Sequence, residues 1–296
     1  MAFRVFKRYL LAVIAVLVLA APARASDSTG WELVVLGVAQ DGGMPHPGCA
    51  KSPCADVFAG TRQAEKVSCV GLVNRETGAA YMFDATPDFP DQLHALTGGR
   101  APDGIFLTHA HIGHYPGLMY LGKEAMAAKG VPVYGTPRMC DFLGGNGPWS
   151  LLADNGYIAL HPITPGQAVE LPDGIRVTPM LVPHRDEFTD TVGFLIEGPR
   201  ARAVFIPDID KWEKWDQNLR DLANRVDILL VDGTFGSLEE LPGRDMSQIP
   251  HPLMTETRQL LEGTRAQLWF IHLNHSNPGL VDGGRDVVSE GQGFEL

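Results

Sequence analysis

Three histidines within six residues, set directly after a short apolar run, constrain this chain more than any other feature. Gly104 to Thr108 reads as a buried strand, and it ends at the cluster Thr108-His109-Ala110-His111-Ile112-Gly113-His114. Imidazole is the commonest zinc ligand, and catalytic zinc takes three protein ligands while keeping one position open. His109 and His111, two residues apart on a turn, can converge on one ion, and His114 can face a second. The competing reading is three solvated loop histidines. A metal reading demands a stiff sheet beneath the cluster and further ligands from elsewhere in the chain.

The rest of the chain supplies both. Continuous apolar runs predict strands at Glu32–Ala39, Ser68–Val73, Ala80–Asp84, Val131–Tyr134, Ile175–Met180, Thr191–Glu197, Arg202–Ile206, Val226–Val231 and Leu268–Ile271. Helices are expected at Phe89–Leu96, Leu118–Lys129, Trp212–Ala223 and Met254–Glu262, with a glycine-rich loop around Gly144, Gly145 and Gly147. Strand-rich halves with interspersed helices imply an α/β chain: two sheets packed together, helices outside. Further polar residues stand at strand ends. His184 follows Val182-Pro183 and could equally be a surface loop residue. Asp208 follows Phe205-Ile206-Pro207 and could equally cap the helix at Trp212. His272 follows Phe270-Ile271 and could equally be a satisfied core histidine.

The motif resembles the His-x-His-x-Asp-His signature of the metallo-β-lactamase superfamily, and His184, Asp208 and His272 match its later ligands in order. The resemblance covers essentially the whole chain after the N-terminus and implies the αββα four-layer sandwich. It implies one ion on His109, His111 and His184, and another on His114, Asp208 and His272, with Asp208 bridging or steering the two. One position departs: Gly113 replaces the aspartate. That substitution implies one or two zinc ions with a weakened second site, and open space for water or substrate where a carboxylate would sit.

Several segments narrow the likeness. Leu36-Gly37 to Gly43 with the following Cys-bearing loop, Phe83 to Asp88, Leu230 to Thr234 and Ile271 to Pro278 look like the coenzyme pyrroloquinoline quinone synthesis protein B group. That group has a degenerate first histidine motif, which this chain retains. The chain is also similar to the phosphonate-pathway cyclic phosphodiesterase and, more distantly, to tRNA 3′-processing nucleases. In those enzymes a histidine ahead of the last strand acts on the phosphate. His251, in Ile249-Pro250-His251-Pro252, occupies the matching place and is assigned as general acid; a surface histidine between two prolines is the alternative. The phosphodiesterase likeness also implies a structural metal on Cys49, Cys54 and His275, with His46 as a fourth ligand, although the Cys-x-Cys-x-x-Cys spacing is absent. A disulfide between Cys49 and Cys54 competes with it.

The N-terminus reads as a secretory signal peptide over residues 1–25. Arg4, Lys7 and Arg8 precede the apolar run Tyr9–Ala21, and Ala23-Arg24-Ala25 gives a small-x-small cleavage site before Ser26. The run is short for a membrane span of about 20 residues, the alternative reading. Cleavage implies a periplasmic or secreted protein of residues 26–296, one domain, with no stable membrane anchor. It removes four cations (Arg4, Lys7, Arg8, Arg24) and no acid, taking the formal charge from −11 to −15. So acidic a body repels nucleic acid phosphates and points to a small-molecule substrate.

No Gly-x-Ser-x-Gly elbow, phosphate-binding Gly-Lys-Ser/Thr loop or dinucleotide fingerprint is present. The function expected is therefore an exported metal-dependent hydrolase of an ester-type or phosphodiester bond. Two alternatives differ in class. One is a cofactor-pathway or carrier protein like the pyrroloquinoline quinone group, without hydrolysis. The other is an exported binding module with Trp149, Trp212 and Trp215 on its binding face.

Overall fold

The computed structural model describes residues 30–245 and 248–296; the signal-peptide assignment and the Ser26 cleavage point lie outside them. Two mixed sheets stack face to face. The first carries β1 (Trp31–Gly37), β2 (Cys69–Asn74), β3 (Ala80–Phe83), β4 (Gly104–Phe106), β5 (Val131–Gly135) and β6 (Ile158–Pro162). The second carries β7 (Val169–Glu170), β8 (Arg176–Leu181), β9 (Val192–Glu197), β10 (Arg202–Ile206), β11 (Ile228–Asp232) and β12 (Gln267–Ile271), while β13 (Gly293–Glu295) returns to the first. The orders are β13-β1-β2-β3-β4-β5-β6 and β12-β11-β10-β9-β8-β7.

The apolar runs are continuous because both faces of these strands are covered. On β1, Leu33 and Val35 point into the core between the sheets, and Val34 and Leu36 point outward. A short α1 (Cys54–Phe58) lies between β1 and β2, and helices α2 (Phe89–Thr97), α3 (Pro137–Gly145) and α4 (Trp149–Asp154) cover the outer face with Leu93, Leu96, Met139, Leu143 and Leu152. Across the other sheet, α5 (Leu219–Ala223) and α6 (Met254–Leu260) contribute Leu219, Leu222 and Met254. This is the expected αββα sandwich. At its centre Phe83 stacks on Phe106 at 5.2 Å and meets Phe194 edge-on at 5.4 Å.

Some local expectations fail for identifiable reasons. The helix expected over Leu118–Lys129 is a 3₁₀ turn over Pro116–Leu121 followed by turns. Its apolar spacing serves burial of Leu118 and Leu121, while Gly122 takes an extended conformation that ends the helix. The helix expected over Trp212–Ala223 is a 3₁₀ turn at Trp212–Lys214 and then α5, whose N-cap Asn218 accepts the amide of Asp221. Of the glycine-rich loop, Gly144 and Gly145 instead end α3, which starts with Thr136 accepting the amide of Met139, and Gly147 lies in the turn before α4 as expected.

In the first sheet β3 to β6 run parallel, as do β10 to β12 in the second. Parallel strands end together, so the residues following β3, β4, β10, β11 and β12 emerge at one edge, where polar groups in open α/β sheets gather. Two of these exits are sharply bent: Asp84 after β3 has φ 71° and His272 after β12 has φ 65°. Left-handed backbone outside glycine is strained and concentrates at functional sites.

Candidate metal centre

The first group of ligand atoms comes from three loops. Nε2 of His109 lies 2.9 Å from Nδ1 of His111, which lies 3.2 Å from Nε2 of His184. Oδ2 of Asp208 stands 3.4 Å from His109 Nε2 and 3.1 Å from His184 Nε2. Ligands at about 2.0–2.1 Å around a tetrahedral ion are about 3.3 Å apart, so these spacings fit a divalent metal. The outward nitrogen of His111 contacts Glu187 at 2.8 Å, and His109 Nδ1 meets the Thr108 hydroxyl at 3.0 Å. Burial pushes His109 and His111 below the usual histidine range, which favours the neutral, ligating imidazole. Burial opposes charge on Asp208, but His184 and His251 outweigh it and hold the carboxyl well below its ordinary range.

The second group differs from the resemblance. Nε2 of His114 and Nε2 of His272 face Oδ1 of Asp41, at 3.2 and 3.6 Å. Asp41 lies in the turn after β1, ahead of Gly42 and Gly43, and is absent from the ligand set that the resemblance implies. Asp208, assigned to this ion by the resemblance, instead joins the first group through Oδ2. Its Oδ1 has no hydrogen-bond partner, and the residue also offers an atom within 4.8 Å of His272. It therefore lies between the groups rather than capping a helix, whose N-cap is Lys211. The space expected beside Gly113 is not open. A Cβ there would fall 2.1 Å from Asp41 Oδ1 and 2.8 Å from Asp41 Cα.

Buried carboxylates orient these rings. Asp84 accepts the amide of Thr108 at 2.8 Å through Oδ1, and its Oδ2 lies 2.7 Å from His114 Nδ1. Burial disfavours charge on His114, yet Asp84 and Asp41 raise its pKa well above the usual value. His272 Nδ1 lies 3.0 Å from the Thr234 hydroxyl. Asp232 accepts the amides of Ile209 and Thr234 and contacts His251 Nδ1 at 2.8 Å. His251 is thus buried at the site, not a surface residue between prolines. Burial opposes its charge, but Asp232 and Asp208 push its pKa up to about 9.

Away from this centre, Cys49, Cys54 and His275 gather within 4.8 Å of one another. Both cysteines are free thiols, so the disulfide is not formed. His46 does not join the three as a ligand; its ring stacks on His275 at 4.3 Å. Trp212 and Trp215 edge a separate cleft with Glu213 and Leu260, away from the histidine centre. They are buried, donating to Thr257 and to the Leu181 carbonyl.

Comparison with known proteins agrees with this architecture. Residues 80–273 match the beta-lactamase superfamily domain. The coenzyme PQQ synthesis protein B of Cupriavidus necator is 29% identical over 284 residues, covering 84% of this chain and 90% of that protein. That of Methylobacillus flagellatus is 28% identical over 289 residues, covering 86% and 93%. The zinc-bound PqqB structure from Methylobacterium extorquens superposes with a TM-score of 0.75 at 22% identity, covering 90% of this chain and all of that one. A diphosphatase of the PhnP family superposes at 0.66 with 20% identity, covering 90% and 97%. With two stacked mixed sheets and a histidine–aspartate centre at their edge, the chain belongs to the beta-lactamase superfamily and has the metallo-β-lactamase fold.

Proposed function

We propose that the protein is an exported, zinc-dependent hydrolase that cleaves an ester-type or phosphodiester bond in a small molecule. The carrying observation is the convergence of His109, His111, His184 and Asp208 at ligand–ligand spacings of 2.9–3.4 Å. A divalent ion held by these residues supplies Lewis acidity and makes water a usable nucleophile near neutral pH. The chain's own groups supply the rest. Asp232, against Nδ1 of His251, favours the protonated ring. Because Nδ1 faces Asp232, the Nε2 proton is the one available to a leaving oxygen.

The surroundings favour a small substrate. A cleft of about 720 Å³ lies beside the centre, lined by Gln40, Asp41, Met44, His46, Lys66 and Ile112. Ile112 and Phe188, exposed in the loops that carry His111 and Glu187, add apolar surface. Cys49, Cys54 and His275 would hold a separate structural ion that braces the loop forming one wall of this cleft.

A second reading rests on the curated relatives: a cofactor-pathway or carrier protein like coenzyme PQQ synthesis protein B, without hydrolysis. A screen over ester, lactone, β-lactam and phosphodiester substrates, with metal content measured on the same sample, separates the two. Hydrolysis in one class that a chelator abolishes supports the hydrolase. Fully metallated protein inert to all four classes supports the second reading.

A further inference from the structure

We propose that Asp41 is the carboxylate ligand of a second divalent-ion position, completed by His114 and His272, and that it replaces in space the carboxylate absent at position 113. The inference rests on the metallohydrolase reading and adds to it a ligand from a different loop.

Three buried atoms, Asp41 Oδ1, His114 Nε2 and His272 Nε2, face one another and find no hydrogen-bond partner outside the three. Unsatisfied buried polar atoms are costly, and three converging on one point fit a cation better than a packing error. The other ring nitrogens are already engaged, His114 Nδ1 with Asp84 and His272 Nδ1 with Thr234, so each ring presents Nε2. Two imidazoles and a carboxylate are a sufficient catalytic zinc donor set.

The position of Asp41 is built, not incidental. Its turn is closed by the amide of Gly43 donating to Gln40 O at 2.7 Å. The turn is tied to the residue after His272 from both sides: Gln40 N donates to Leu273 O at 2.8 Å, and Leu273 N donates to Val38 O at 2.9 Å. Any side chain at 113 would collide with the Asp41 carboxylate, so the two positions exclude each other. Glycine at 113 is therefore the condition for Asp41 to enter, rather than a lost ligand. The simpler competitor is that Asp41 only balances a protonated His114.

Zinc titration with elemental analysis distinguishes the two. With Cys49 and Cys54 both changed to serine to remove the structural ion, the otherwise wild-type protein should bind two zinc ions, both at the centre. In that background Asp41→Asn should keep one at unchanged affinity and weaken the other by about ten- to hundredfold or more. Gly113→Ala should do the same by displacing Asp41. Wild-type affinity for both ions in Asp41→Asn would make Asp41 a counter-ion and overturn the proposal; a single central ion in wild type would overturn it too. Zinc absent from all central ligands in folded protein would instead sink the metallohydrolase reading itself, and this proposal with it. Should the variants not fold, anomalous diffraction from wild-type crystals grown with zinc decides. A peak within about 2.2 Å of an Asp41 carboxylate oxygen supports the ligand role, and peaks only elsewhere refute it.

Discussion

Asp84→Asn changes one atom of a buried carboxylate and should disable His114 without disturbing the fold. Asp84 sits at φ 71°, a conformation asparagine also tolerates, so the backbone is a weak confounder. The new amide has one sensible orientation. Its oxygen must keep accepting the Thr108 amide, now at 2.8 Å. Its nitrogen then faces His114 Nδ1, where the carboxylate oxygen stood at 2.7 Å. Two donors cannot face each other, so His114 shifts its proton to Nε2, the atom directed at Asp41. That nitrogen must then lose a proton before it can bind metal. Loss of such an orienting partner typically costs ten- to hundredfold in metal affinity, or about 1.4–2.8 kcal/mol. Competition with a chromophoric zinc chelator measures it, with circular dichroism on the same samples. The ion on His109, His111 and His184 should keep its affinity. A folded variant whose affinities all match wild type would show that Asp84 does not set the His114 proton.

Phe83→Ala removes a fully buried ring that touches both sheets and should cost about 3–5 kcal/mol, read by urea denaturation; a loss under 1 kcal/mol would mean the sheets re-pack around the gap. In native protein Cys69 and Cys140, both buried and with thiol pKa values raised by burial (Cys140 to about 11), should resist a thiol reagent at neutral pH. Cys49 and Cys54 should become reactive only when a chelator strips a structural ion; equal reactivity with and without chelator would remove that ion from the account. Intact-mass analysis of the exported protein should give a chain beginning at Ser26, and a mass retaining residues 1–25 would make that segment an anchor.

What could be read from residue order was whatever is local in the chain. Apolar runs such as Leu229-Leu230-Val231 are strands buried on both faces, and the interval from His109 to His114 carries its own meaning because all three rings leave one turn. The 3₁₀ turn at Pro116–Leu121 was misread because apolar spacing reports burial, and both helix types bury a similar face. Asp41 was missed for a different reason. An aspartate before two glycines is an ordinary turn, and nothing near it mentions a histidine far along the chain. The meeting is made by the sheet: β1 and β2 place the turn after β1 beside the end of β12, where Leu273 hydrogen-bonds to Val38 and Gln40. An aspartate at a strand end, in a chain whose histidine motif lacks its own carboxylate, was the signal available. It follows that the centre belongs to the edge of the sandwich rather than to any one motif. Several loops reach that edge, so a ligand missing from one can be supplied by another, provided a small residue such as Gly113 leaves it room.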